Sequence, residues 1–189
     1  MTEENRTPEL TEQAVSEQNR IRLEKLNRLV EEGRNPYEIV RYDRTHLSGE
    51  ILSNYDALEN QTVSIAGRMM SRRVMGKASF AHLLDGAGDI QIYVKKDDVG
   101  EEAYAAFKQD DLGDILGVKG IVFKTKTGEV SVHAQSVTLL CKSLKVLPEK
   151  YHGLVDTDLR YRQRYVDMIV NPEVRDTFRK RSRIIAAVR

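Results

Sequence analysis

From Thr62 onward the apolar residues of this chain recur at every second position, a period that suits a half-buried strand and not a helix. Val63, Ile65 and Met69 alternate with Ser64, Ala66, Arg68 and Met70. Ala78 to Leu84 and Asp89 to Lys95 repeat the pattern, separated by Asp85-Gly86-Ala87-Gly88, a turn rich in residues that tolerate positive φ. A short helix fits Glu101 to Lys108, with Asp98 and Glu101 at capping-box spacing. Two further strands, about Asp114 to Lys124 and Glu129 to Leu140, flank Thr125-Lys126-Thr127-Gly128, which reads as a hairpin turn.

The order β-β-β-α-β-β is that of an OB-fold, a five-stranded Greek-key barrel with a helix between its third and fourth strands. Other small barrels share such alternation, so the order alone leaves them open. Ahead of the barrel, Leu23, Leu26, Leu29 and Val30 recur at helical spacing from Asn19 to a stop at Gly33 and Asn35-Pro36. The other face of this amphipathic helix carries Arg20, Arg22, Lys25 and Arg28, either a solvated face or a contact for nucleic acid. A second helix covers Leu47 to Leu58, and Met1 to Gln18, polar and without period, reads as a mobile tail. After Pro148 come Tyr151-His152-Gly153-Leu154 and the dense Arg160-Tyr161-Arg162-Gln163-Arg164-Tyr165, read as a linker. Asn171 to Arg189 then sets Phe178, Ile185 and Val188 on a helical stripe with no stop signal, which suggests truncation. The expected segments are a tail over 1–18, a helical segment over 19–60, the barrel over 61–145, and over 146–189 a linker with the start of something further.

Composition narrows the function. Cys141 is the only cysteine, which excludes an internal disulfide and a multi-cysteine zinc site. His46, His82, His133 and His152 lack ligand spacing, so no metal site is expected. No apolar run approaches the roughly 18 residues that cross a bilayer, and the acidic start lacks the apolar segment of a secretion signal, so no membrane partner is expected and the expected compartment is the cytoplasm. Net charge of +1 is silent about nucleic acid, and local clustering has to decide. The carboxylate pairs Asp97-Asp98 and Asp110-Asp111 read as caps or surface rather than acid/base groups, and Gly113 and Gly117 sit in a strand pattern rather than a phosphate loop. No catalytic residue is assigned.

Strand parity points to one face. Ala81 and Leu83 turn inward and leave Phe80 and His82 outward; Ile90 and Ile92 turn inward and leave Gln91 and Tyr93 outward. Arg68, Arg72, Arg73 and Lys77 rim that surface. An aromatic platform, an amide and flanking cations suit unpaired nucleic acid, which needs a π-face, hydrogen bonds to a base edge and charge for phosphates. The competing reading makes Phe80 a core residue through a one-residue register slip. Strict alternation also puts Arg73 on the core side, so its place on the face requires a bulge or the end of the strand before it.

The run Gly67-Arg68-Met69-Met70-Ser71-Arg72-Arg73-Val74-Met75-Gly76-Lys77-Ala78-Ser79-Phe80, with Leu84-Asp85 and Asp89-Ile90-Gln91, resembles the anticodon-binding domain of bacterial-type class II lysine–tRNA ligases. Phe123-Lys124-Thr125-Lys126-Thr127-Gly128-Glu129 resembles that family's hairpin, and His152-Gly153-Leu154 with Arg160 to Tyr165 its passage into the catalytic domain. The resemblance implies that the central anticodon uridine stacks on Phe80 and is hydrogen-bonded by Gln91 and Arg73, with Glu129 near the neighbouring bases. It implies tRNA as partner, a homodimeric full-length enzyme, and ligation of lysine using ATP and magnesium. The sequence motifs that hold ATP are absent, so these residues alone are expected to be inactive. Aspartate and asparagine ligases share the barrel, and a sequence-indifferent single-strand binder or a protein-interaction module remain rival readings.

Overall fold

The structure is a computed structural model that describes residues 8–148, 154 and 156–189, with side chains from Ser16 onward. It forms two units, Met1–Val146 and Leu147–Arg189. In the first, the period-two segments become β1 (Thr62–Met75), β2 (Ala78–Leu84), β3 (Asp89–Lys95), β4 (Ile115–Lys124) and β5 (Val130–Cys141). They close into a barrel in the order β1-β2-β3-β5-β4, with β3 and β5 parallel and every other neighbouring pair antiparallel. This is the expected five-stranded OB-fold. Val63, Ile65, Leu83, Ile92, Val118 and Val132 are among the side chains that fill its interior. Gly120 sits at a bulge where a Cβ would lie 2.1 Å from the carbonyl oxygen of His133, so β4 and β5 approach this closely only without a side chain there.

The helices depart from expectation in informative ways. The first, α1 (Pro8–Glu31), begins at Pro8 rather than Asn19. Proline is tolerated at a helix start, where its missing N–H would have no intrahelical partner. The expected helix from Leu47 to Leu58 is two, α2 (Ser48–Ser53) and α3 (Tyr55–Leu58), broken at Asn54. The Asn54 amide donates to the Glu50 carbonyl, the local bond by which asparagine competes with a continuing helix. Between β2 and β3 no residue takes positive φ. Instead the Asp85 carboxylate closes the turn, accepting from the backbone of Ala87 and Gly88 and from Ser48 at the start of α2. The short α4 (Lys96–Val99) precedes α5 (Glu101–Gln109), and the expected capping box does not form. Asp98 accepts from or pairs with His133 Nε2 at 2.8 Å, and Glu101 with Lys96.

In the second unit the stretch expected as a linker is partly helical, as α6 (Thr157–Arg162) and α7 (Arg164–Val170), followed by α8 (Pro172–Val188). The Asp156 carboxylate caps α6, accepting from Leu159. Buried Asp167 gathers Arg160, Arg164 and Asn171, which gives the arginine-rich run a structural use. Tyr151, His152 and Gly153 lie outside the described residues, as do Met1 to Thr7.

Asp110 is the C-cap residue of α5, as a cap reading allows, but it is buried, so the Asp110-Asp111 pair is not simply solvated surface. Asp114 is fully buried and accepts from the backbone of Asp111 and Ser143 at 2.7 Å. Buried Lys142 bridges it, at 2.9 Å, to Asp111, at 2.5 Å. Lys25 of α1 adds a second cation on Asp111 at 2.6 Å. Removing one partner of such a buried pair costs about 3–5 kcal/mol, because the other charge is left uncompensated. Burial, then the charge of Asp114, pushes the Asp110 carboxyl up to about 7, against the opposing pull of Lys142 and Arg72. The folded chain therefore holds a proton more tightly than the unfolded chain, whose carboxyl has the ordinary value of 3.8. The resulting stability is full below that value and is lost as pH rises through about 7. Asp110→Asn should remove this loss. Its denaturant midpoint should gain on the parent as pH rises from about 5 to about 8; a constant difference between the two proteins over that range would contradict a raised carboxyl.

Candidate nucleic-acid interface

One outer face of the barrel is an open depression of about 800 Å³ whose lining includes Arg72, Arg73, Phe80, Gln91, Tyr93 and Phe123. Phe80 lies on β2 between buried Ser79 and Ala81 and turns its ring outward, half-buried, so the register slip that would bury it does not occur. Its cross-strand neighbours are Tyr93 of β3 and Arg73 of β1. The ring centroids of Phe80 and Tyr93 are 4.9 Å apart, and Tyr93 continues to His133 at 5.1 Å and Phe123 at 6.1 Å. Aromatic side chains thus extend across the face from β2 to β4 at spacings that favour ring contact.

A bulge between Met69 and Ser71 shifts the β1 register, so that Arg72 pairs with inward Ala81 and Arg73 with outward Phe80. This answers the parity difficulty. Met69 is fully buried before the bulge, and Arg73 is exposed beside the ring after it.

Gln91 stands opposite His82. Its amide nitrogen donates to Glu129 Oε2 at 2.8 Å, and its oxygen accepts from the Ser131 hydroxyl at 2.9 Å. His82 lies between Asp89, 3.1 Å from Nδ1, and Glu129, 3.6 Å from Nε2. The structure therefore brings Phe80, Gln91, Arg73 and Glu129 to one surface. Phe123 and His133 join them without having been proposed as site residues, although their alternation with Val122, Val132 and Ala134 carried the signal, and buried Ser131 lies beneath Gln91.

The expected rim of cations is smaller than it looked. Arg72 donates to the carbonyls of Phe107 and Asp110 at the end of α5, at 2.8 and 2.6 Å, and Arg68 to that of Gly113 at 2.6 Å. On α1, Arg22 is only 8% exposed and donates to the carbonyls of Ser143 and Lys145, while Lys25 donates to Gln109 as well as Asp111. The helix is thus rotated from its expected setting. Leu26 is buried, but Leu23 and Val30 are each 47% exposed and two basic side chains take the inner face. Long stems cover apolar surface while their charged ends reach carbonyls and a carboxylate, a use of lysine and arginine invisible to apolar periodicity. Arg20 pairs with Glu17 and Glu24 on the surface. Among the described residues Arg28, Arg73 and Lys77 are exposed and make no ion pair. Also among the described residues, no group of three or more His, Cys, Asp or Glu side chains is arranged to hold a metal ion, and no helix is long and apolar enough to cross a membrane.

Residues 63–140 match the tRNA anti-codon family, described as an OB-fold nucleic acid binding domain. Over all 189 residues the chain is 50% identical to a lysine–tRNA ligase of Clostridium botulinum and 51% identical to that of Clostridium kluyveri, covering 38% of each relative. It is 56% identical to a lysine–tRNA ligase of Pelotomaculum thermopropionicum over 178 residues, which is 94% of this chain and 35% of that one. The chain therefore spans less than two-fifths of the length of these relatives.

The two adjacent arginines should separate in a stability measurement. Arg72→Ala strands the last carbonyls of α5 and should lower unfolding free energy by about 1–3 kcal/mol, whereas exposed Arg73→Ala should stay within about 0.5 kcal/mol of the parent. Equal losses in urea titrations would mean that the bulge does not divide their roles.

Proposed function

We propose that this chain, a member of the lysine–tRNA ligase family, uses the outer face of its barrel to bind the anticodon loop of lysine tRNA, within an enzyme that attaches lysine to that tRNA. The observation that carries this reading is the meeting of the Phe80 ring, the Gln91 amide and the Arg73 guanidinium on one open surface. Each supplies what an unpaired base requires. Phe80 offers a π-face, Gln91 a donor and an acceptor for a base edge, and Arg73 a charged donor for that base or an adjoining phosphate. Glu129, bonded to Gln91, is proposed to meet a neighbouring base. Of the basic residues singled out in the sequence, we propose that exposed Arg28 and Lys77, and Arg20 beyond its surface pairs, meet tRNA phosphates, while Arg22, Lys25, Arg68 and Arg72 act mainly within the fold.

Lysine activation belongs to the proposed full-length enzyme, a cytoplasmic homodimer that uses ATP and magnesium. No step of that reaction is assigned to residues 1–189, which are proposed to bind tRNA and to be inactive alone. One observation favours a second reading. The rings of Tyr93, Phe123 and His133 extend the surface beyond Phe80, as a sequence-indifferent single-strand binder would need.

Titrating a lysine anticodon stem-loop against the same loop with its central uridine replaced by cytidine separates the two. Base-specific recognition predicts a loss of about 1–3 kcal/mol for cytidine, from mispaired polar groups, and Phe80→Ala should lose about 1–3 kcal/mol of binding with little loss of stability. Phe80→Trp keeps a π-face and should keep binding, whereas Phe80→Leu should not. Equal affinity for uridine, cytidine and scrambled loops would establish the indifferent binder instead.

A further inference from the structure

Two helices leave a gap over β5. On α5, Ala103, Ala106, Phe107 and Asp110 recur at the spacing that sets side chains on one helix face, and on α1 Lys25, Arg28 and Leu29 do the same. Both stripes line one cleft of about 470 Å³, with Val137 and Leu139 of β5 as its floor. The methyl groups of Ala103 and Ala106 are too short to fill it, and its size is that of a small-molecule site. Asp110 is only 8% exposed, yet among the described residues its carboxyl makes no hydrogen bond and no ion pair. The charged groups around it are committed to others. Lys142 holds Asp111 and Asp114, Lys25 holds Asp111 and the Gln109 carbonyl, and Arg72 donates to backbone carbonyls. Buried polar groups ordinarily have a partner, so an unpaired carboxyl in the wall of an open cleft points to a partner from outside the chain.

We infer that the cleft between α1 and α5 binds a small organic amine, whose ammonium pairs with Asp110 while its apolar body lies against Leu29, Phe107 and Leu139. The site uses none of Phe80, Gln91 or Arg73 and stands apart from the RNA-binding reading. An ammonium is the matching donor, because it offsets the charge that Asp110 acquires beside Asp111 and Asp114 and gains a charge-assisted bond where little water reaches. An anion does not suit the cleft, although Lys25, Arg28 and Lys142 also line it. Lys25 and Lys142 already have carboxylate partners, and ionised Asp110 repels a second negative charge. Burial, then the charge of Asp114, holds the Asp110 carboxyl up to about 7, with Lys142 and Arg72 pulling down and Asp111 adding to the rise. Ammonium binding needs the ionised form, so affinity falls as pH drops through about 7.

The test titrates the isotopically labelled 189-residue chain at about pH 8 with phenethylamine, with phenethyl alcohol of nearly the same shape, and with the anion hydrocinnamate, following amide resonances. Phenethylamine should saturate one site, with the changes on Ala103, Ala106, Asp110 and Leu139, and hydrocinnamate should leave those residues unmoved. The amine should bind about tenfold more tightly than the alcohol, the advantage of a charge-assisted bond. Asp110→Asn keeps the shape and should reduce the amine to the affinity of the alcohol. Ala106→Leu fills the cleft without removing the carboxyl and should weaken both ligands alike. In the parent the amine should bind about tenfold more weakly at about pH 6 than at about pH 8, and in Asp110→Asn equally at both. Changes that fall elsewhere or never saturate, or an amine advantage that survives Asp110→Asn, would overturn the inference. Should Asp110→Asn not fold, the parent decides alone: no preference for amine over alcohol, or an affinity unchanged with pH, overturns it as well.

Discussion

Pairing of β1 with β4 closes the sheet, and closure obliges each strand to divide its residues between a sealed interior and an outer surface. Ala81, Leu83, Ile90 and Ile92 take the interior, which leaves Phe80, His82, Gln91 and Tyr93 on the outside with no freedom to exchange sides. The aromatic and amide groups of the candidate site are therefore held by the core and not by loops. A side chain whose position costs nothing further on binding loses less entropy when a ligand arrives.

The barrel does not stand on apolar packing alone. Lys142, just past the end of β5, sits between Asp111 and Asp114 at the entrance to β4, and Lys25 and Arg22 tie α1 to the same region. Arg72, one residue from the candidate site, joins the network through the Asp110 carbonyl. Adjacent residues of β1 thus have different partners, Arg72 donating to carbonyls at the end of α5 and Arg73 standing exposed beside Phe80, because the bulge after Met69 sets which of the two faces outward.

Much of this was legible in the sequence, where period-two runs located β2 and β3 to the residue and the order of elements implied the OB-fold. Parity placed Phe80 and Gln91 outward, and of the two ways to reconcile Arg73 with it, a bulge or the end of the strand, the bulge is the one present. The illegible parts were those that depend on distant partners. Whether Arg22 and Lys25 face solvent or carbonyls cannot be read from a helical pattern, since long basic side chains suit either. Asp110, Asp111 and Asp114 look like surface carboxylates until Lys142, 28 residues beyond Asp114, is brought among them. Gln91 meets Glu129 across 38 residues only because β3 and β5 pair in parallel, a non-consecutive contact that local patterns do not encode.

The central claim is that unpaired bases of the lysine anticodon loop bind on the outer face around Phe80. Titrating the isotopically labelled chain with that stem-loop, and following backbone and side-chain amide resonances, tests it most directly. The largest changes should fall on Arg73, Phe80, Gln91, Tyr93 and Glu129, with the barrel interior and the region around Lys142 little affected. Changes concentrated on α1 and α5 while those five residues stay unmoved would contradict the claim.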